Sequence, residues 1–279
     1  MNAIEIKGLC KRYPGFWLNN IDLTLPCGCI MGLIGENGAG KSTTIKLLLG
    51  ITEKNTGSIQ LFGKEMTADA VDIKNDIGIV LDEPCFPDML KASQINNIMK
   101  GIYKNWSEGT FFGLLKKFGI DETKKFDALS KGMKMKVSIA VALSHDAKLL
   151  ILDEPTSGLD PVIRDEIVEI FYEFTRNPMN SILISSHIVS DLEKLCDYVA
   201  FIHKGKLLLC DEKDRLLEKY CVIHCSEEDF QRIDPDAVMS KKESPYGIEA
   251  IAERNAVKDF EINPVGLEEF FVAVVKEAE

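Results

Sequence analysis

Apolar positions along the chain fall into short runs rich in β-branched residues, separated by longer stretches of helical spacing. The runs are Ala3 to Leu9, Ile21 to Leu25, Ile30 to Ile34, Ser58 to Leu61, Ile77 to Leu81, Leu149 to Leu152, Ser181 to Ser185 and Val199 to Ile202. Continuous apolar runs that alternate with helices are the mark of an α/β domain whose sheet is largely parallel and covered on both faces. Between Leu81 and Leu149 the period is helical, over Ser93 to Tyr103, Gly109 to Phe118 and Lys131 to Leu143. No strand pattern interrupts it, which predicts a helical insert in the α/β core. After about Cys210 the pattern changes to short charged elements: a helix over Glu212 to Lys219, a strand over Cys221 to Cys225 and a last helix over Leu267 to Lys276. This tail reads as a small accessory region. No internal repeat or low-complexity linker supports a tandem arrangement.

Composition narrows the classes. With 279 residues, 46% of them hydrophobic and 28% charged, the chain can bury a substantial core. A formal net charge of -11 provides no basic footprint for phosphate neutralisation, so direct DNA or RNA binding is disfavoured. No apolar run approaches the roughly 18 to 20 residues that span a bilayer, and the start of the chain lacks the uninterrupted apolar stretch of a signal peptide. The expected location is the cytoplasm. The eight cysteines are scattered, and Cys27 and Cys29 form a CxC without a second pair at metal-ligand spacing, as reduced, packed thiols would be.

Two segments carry chemistry. Gly35-Glu36-Asn37-Gly38-Ala39-Gly40-Lys41-Ser42 fits GxxxxGK[ST], follows the run Ile30 to Ile34 and opens a helix at Ser42 that continues through Thr43 to Leu49. Glycines let the backbone wrap an anion, consecutive N–H groups and the helix N-terminus supply positive potential, Lys41 reaches the outer phosphates and the Ser42 hydroxyl ligates Mg2+. Nucleotide binding follows; the reaction stays open, because many motors and switches share this loop. Downstream, the buried run Leu149 to Leu152 ends in Asp153 and Glu154, where a parallel strand delivers its C-terminal residues to a ligand. Asp153 would hold the magnesium, directly or through water. Glu154 leaves the strand in another direction and is placed to orient or deprotonate an attacking water.

With these segments in place, five motifs in order resemble the ATP-binding subunit of ABC transporters over about Ile4 to Lys206. Leu129-Ser130-Lys131-Gly132-Met133 is similar to the LSGGQ signature, Ser157-Gly158-Leu159-Asp160 to the D-loop, His187 to the switch histidine and Tyr13 to the aromatic that stacks on adenine. The resemblance implies a P-loop NTPase (RecA-like) core with a mainly parallel sheet, an N-terminal antiparallel β portion, a helical insert at about 91–145 and a C-terminal accessory region. The ABC ATPase domain would span 1–210 and the accessory region 211–279. It further implies ATP with Mg2+ as ligands and an ATP-dependent dimer with itself or a related subunit. In that dimer Ser130, Lys131 and Gly132 complete the partner's nucleotide site and Asp160 crosses the interface. Integral membrane permease subunits would be driven by the dimer's closing and opening, which places the chain at the cytoplasmic face of the membrane.

Two positions depart from the family pattern. The signature has Lys131 in place of glycine and Met133 in place of glutamine; the lysine adds positive charge towards phosphate, and Met133 packs. The Q-loop position falls on Asp82, shorter than glutamine and an acceptor only when ionised, with Glu83 beside it as the other bearer of the contact. Pro84, Phe86, Pro87, Met89 and Leu90 form an apolar patch suited either to a coupling helix of the membrane partner or to packing on the helical insert. Near the end, Asn263-Pro264-Val265-Gly266-Leu267-Glu268-Glu269-Phe270-Phe271 is similar to the ending of the drug- and antibiotic-export branch, which leans the reading towards export. The competing readings are a soluble, non-transport relative and an ATP-dependent clamp without turnover.

Overall fold

The computed structural model describes residues 1–67, 69–82, 86–245 and 247–278. Along the chain come β1 (Asn2–Tyr13), β2 (Phe16–Pro26), β3 (Ile30–Ile34), α1 (Lys41–Leu48), β4 (Thr56–Leu61), β5 (Lys64–Glu65), α2 (Val71–Asn75) and β6 (Ile77–Val80). The helical insert contributes α3 (Ala92–Ile102), α4 (Glu108–Lys117) and α5 (Lys131–Leu143). The core resumes with β7 (Leu149–Asp153), α6 (Pro161–Thr175), β8 (Ser181–Ser186), α7 (Val189–Leu195), β9 (Tyr198–His203) and β10 (Lys206–Glu212). The tail holds α8 (Lys213–Lys219), β11 (Tyr220–Cys225), α9 (Glu227–Phe230), β12 (Val238–Ser244), β13 (Gly247–Glu253), β14 (Ile262–Pro264) and α10 (Leu267–Glu277).

The central sheet has the order β10-β9-β3-β8-β7-β6; the pairings among β9, β3, β8, β7 and β6 are parallel, and only β10 runs antiparallel to its neighbour. All residues of β3, β7 and β8 are buried, which is why the centres of these strands, Ile30–Ile34, Leu149–Leu152 and Ile182–Ile184, lack a polar alternation. Their side chains alternate between two cores. Met31, Leu33, Leu149, Ile151 and Leu183 face the antiparallel sheet β2-β1-β4-β5 and α1, where Ile4, Ile6, Leu23 and Leu25 meet them. Ile30, Ile34, Leu150, Leu152, Ile182 and Ile184 face the helical side, with Ile167 and Phe171 of α6 and Leu192 of α7. Gly32 belongs to that face: a Cβ there would stand 3.0 Å from Cys196 Sγ and 3.1 Å from Leu192 Cδ1, so its absence lets α7 lie directly on β3.

The insert has a core of its own around Ile95, Phe111, Leu115, Phe126 and Val137. His145, buried just after α5, pins it to the sheet. Its Nδ1 faces the Val141 carbonyl at 3.2 Å, its Nε2 faces the Ile77 carbonyl of β6 at 3.0 Å, and its ring stacks on Tyr103 at 3.8 Å between centroids. Burial holds this imidazole below its ordinary pKa.

The tail forms an antiparallel sheet of order β12-β13-β11-β14. One face is closed by Ile233 and Val257 over Cys221, Ile223, Ile248, Ala250 and Ala252. Through Val222, Ile251 and α10 the other side joins the main core, where Phe270 and Phe271 lie 6.0 and 5.2 Å from Phe201 of β9. The sequence pattern underestimates this region, which contains the β12–β13 hairpin besides the expected helices and strand.

Candidate active site

The phosphate loop is shaped from behind. A Cβ on Gly35 would sit 2.4 Å from the Ile202 carbonyl oxygen of β9, so only glycine fits between loop and sheet. Gly38 and Gly40 have φ of 82° and 120°, and Gly38 has nothing within 4 Å of where a Cβ would stand: the loop is open on that side. At Gly40 the missing Cβ admits Leu18 and Phe16 of β2, at 2.9 and 3.2 Å. Phe16 is the cross-strand partner of Tyr13, so the same glycine seats the adenine-stacking candidate one hairpin pair from the loop. Tyr13 is 38% exposed, with the Lys11 ammonium 5.3 Å from its ring centroid. Glu36 and Asn37 are exposed, Ala39 is buried, and Ser42 and Thr43 lie in the first turn of α1, Ser42 exposed.

Lys41 is only 5% exposed; its ammonium donates to the Gly35 carbonyl at 2.7 Å and the Glu36 carbonyl at 3.3 Å, curling back over the loop. It also lies 3.1 Å from Glu154 Oε1, an ion pair not aligned as a hydrogen bond. Asp153 ends β7, and its cross-strand partner is Ser185 of β8, whose hydroxyl donates to Asp153 Oδ1 at 2.5 Å. The next residue turns sharply. Glu154 has φ of 51°, a left-handed conformation that a glutamate adopts at a cost, and its N–H donates to Ser185 O and Oγ, both at 3.1 Å. This turn swings the buried carboxylate towards His187, whose Nδ1 lies 2.7 Å from Glu154 Oε2 and whose N–H donates to the same oxygen at 3.3 Å. Lys41, Asp153, Glu154 and His187, read from separate motifs, are therefore brought together at the ends of β3, β7 and β8.

The remaining candidates lie elsewhere on this side of the fold. Ser130 caps the 13-residue α5, its hydroxyl accepting from Met133 N at 3.3 Å. Gly132 packs against Ile163 of α6, and the Lys131 ammonium rests against Gly158, 3.0 Å from where its Cβ would be. Met133 packs into the insert core, as expected. Asp160 is exposed and caps α6 by accepting from Val162 N and Ile163 N at 3.1 and 3.0 Å. Asp82 is exposed directly after β6; Glu83 and Pro84 lie outside the described residues. Of the apolar patch, Phe86 and Leu90 turn towards the insert core, Phe86 edge-on to Phe126 at 5.5 Å, while Met89 is 71% exposed. Sequence reasoning missed Ser185, whose role depends on strand register rather than on a motif.

The loop's glycine cradle, open at Gly38, fits a polyphosphate, and the Ser42 hydroxyl and the Asp153 carboxylate are hard oxygen groups of the kind Mg2+ prefers. The arrangement defines a P-loop ATPase with a largely parallel core sheet backed by an antiparallel one. A family model described as ABC transporter matches residues 18–157. The chain is 41% identical over 217 residues to the lantibiotic transport ATP-binding protein SrtF of Streptococcus pyogenes, a match that covers 76% of this chain and 91% of the relative. It is 39% identical over 196 residues to the bacitracin transport ATP-binding protein BcrA of Bacillus licheniformis, covering 68% of this chain and 63% of the relative. A solved ATP-binding subunit of an ABC transporter superposes with a TM-score of 0.69 at 29% identity, over 77% of this chain and 91% of that one. The chain belongs to the ABC transporter family, as its ATP-binding and ATP-hydrolysing subunit. Among the described residues no helix is long and apolar enough to cross a membrane.

Proposed function

We propose that the chain is one half of an ATP-driven clamp that powers export through a separately encoded membrane partner. The observation that carries this reading is the convergence of Lys41, Glu154 and His187, with Glu154 held by one cation and one imidazole. Nucleotide phosphates compete with Glu154 for Lys41, so binding releases the carboxylate to take a proton from the attacking water, with His187 holding its other oxygen. Residues 35–43 supply N–H groups to the phosphates. Ser42 and Asp153 would hold Mg2+, with Asp82 as a further candidate contact, and the metal would supply positive charge that offsets the negative charge of the phosphates. Ser130, Lys131 and Gly132 of a second copy, or of a related subunit, face the γ-phosphate across the interface, and Asp160 crosses it.

Export is supported by the relatives, named for lantibiotic and bacitracin transport, and by the run Asn263 to Phe271. The membrane partner's coupling helix fits an apolar groove of about 430 Å³ beside the Q-loop, lined among others by Phe86, Pro87, Leu90, Ile98 and Met99. This docking places the chain at the cytoplasmic face, with 1–210 as the ATPase domain, the insert at about 91–145 meeting the partner and 211–279 as accessory.

The test is the mass in solution of Glu154→Gln with and without ATP. A monomer that becomes a dimer only with ATP is expected; a species that binds ATP and stays monomeric, alone and with its membrane partner, rules out the shared-site clamp. Tyr13→Ala is expected to weaken ATP affinity about tenfold through lost base stacking, with little change in turnover at saturation. An unchanged affinity in a nucleotide titration would remove Tyr13 from the adenine site.

A further inference from the structure

Behind the hydrolytic pair lies a buried polar contact that none of the steps above uses. Thr156, two residues after Glu154 and 2% exposed, donates its hydroxyl to Asp191 Oδ2 at 2.9 Å. The other oxygen, Oδ1, accepts from Arg164 Nη1 of α6 at 3.3 Å. The Asp191 side chain is 11% exposed and that of Arg164 is 26% exposed. The carboxylate is therefore shared between two elements: the turn that carries Glu154 and leads to Asp160, and the helix that Asp160 caps. Asp191 itself sits in the first turn of α7, which begins directly after the His187 loop.

Glu154 and His187 reach their 2.7 Å contact from two different strand ends, β7 and β8. The front of that contact is held by Ser185, which fixes the Glu154 N–H. At the back, Asp191 is the side chain that ties the turn after Glu154 to the helix after His187. α7 is in turn fixed on β3 through Gly32. A charge-assisted bond of this kind defines distance and direction better than apolar packing does.

We infer that Asp191 is a positioning residue for ATP hydrolysis, locking the Glu154 turn to the His187 helix so that base and imidazole keep their alignment. The inference rests on the reading of Glu154 and His187 as the hydrolytic pair. Displacement of a catalytic group by a fraction of an ångström lowers the rate while leaving substrate affinity intact, because affinity is set by the phosphate loop.

The experiment is steady-state ATP hydrolysis by the full-length chain co-purified with its membrane partner, comparing Asp191→Asn, Asp191→Glu, Thr156→Val and Glu154→Gln. Asp191→Asn is expected to lower kcat at least about tenfold with the KM for ATP within about twofold of wild type. Asp191→Glu should restore part of the rate. Thr156→Val, which keeps shape and replaces the hydroxyl by a methyl, should lower kcat in the same sense, and the double variant should be slower than Asp191→Asn alone by less than the two separate losses combined, since both act on the Thr156–Asp191 contact. Wild-type kcat in both Asp191→Asn and Thr156→Val overturns the inference, as does a rate loss that Asp191→Glu does not relieve and that follows a fall in thermal midpoint. Glu154→Gln separates the two levels. If it is inactive while Asp191→Asn runs at the wild-type rate, only the positioning role fails; if it keeps normal turnover, the pair itself falls and the inference with it.

Discussion

Glu154→Gln is expected to lower ATP turnover by about 10²- to 10⁴-fold, the range that loss of a general base produces. The carboxamide keeps the size of the side chain and an oxygen for the His187 N–H, so the turn should hold. What it loses is the ability to accept a proton, and with it the charge that sits 3.1 Å from Lys41. ATP affinity should therefore be equal to or tighter than that of wild type, because phosphate no longer competes with a carboxylate for the ammonium. Phosphate release and nucleotide titration on the same preparation check both parts. Normal turnover would take Glu154 out of the role of base, and weakened binding would contradict the competition for Lys41.

The second large effect is at Lys41. Replacing it by alanine removes the cation that is folded over the Gly35 and Glu36 carbonyls, and should weaken ATP binding by at least about a hundredfold, as expected for losing charge-assisted bonds to phosphate. It also leaves Glu154, 8% exposed, without its cation, so the variant should be less stable than Glu154→Gln in the absence of nucleotide. Calorimetric titration with ATP decides the first point. Affinity within about fivefold of wild type would mean that the phosphates bind elsewhere.

The parts of this fold that were legible in the sequence are those where burial is complete. β3, β7 and β8 are covered on both faces and carry apolar centres, Ile30–Ile34, Leu149–Leu152 and Ile182–Ile184, and the chemistry-bearing residues stand at or directly after their ends. β10 was less legible: three consecutive leucines, all half-buried, match neither a strand nor a helix period, and its pairing with β9 is set by the turn at Lys204 and Gly205. β12 is an edge strand carrying Lys241, Lys242 and Glu243 on exposed positions, so it lacks the alternation that marks a strand. α7 is short, with Val189, Leu192 and Leu195 its buried positions, too few turns for its period to stand out in the sequence. At the site, Lys41, Asp153, Glu154 and His187 could be named from motifs, whereas Ser185, Thr156, Arg164 and Asp191 could not. Their partners are fixed by strand register and by the docking of α6 and α7, neither of which is a local property. The left-handed turn at Glu154 was likewise hidden; strand alternation accounts for the change of direction after Asp153 but not for its sharpness.

That turn bears on how the protein can change. A φ of 51° suits glycine or asparagine better than glutamate, so position 154 is one where the backbone and the chemistry favour different residues. A library of variants screened only for thermal resistance would be drawn towards Gly or Asn there and would return sturdier, inert proteins. Selection on transport pulls the other way. Glutamate at this strained position is thus a trace of what the chain has been kept for, recorded in the conformation of a single residue.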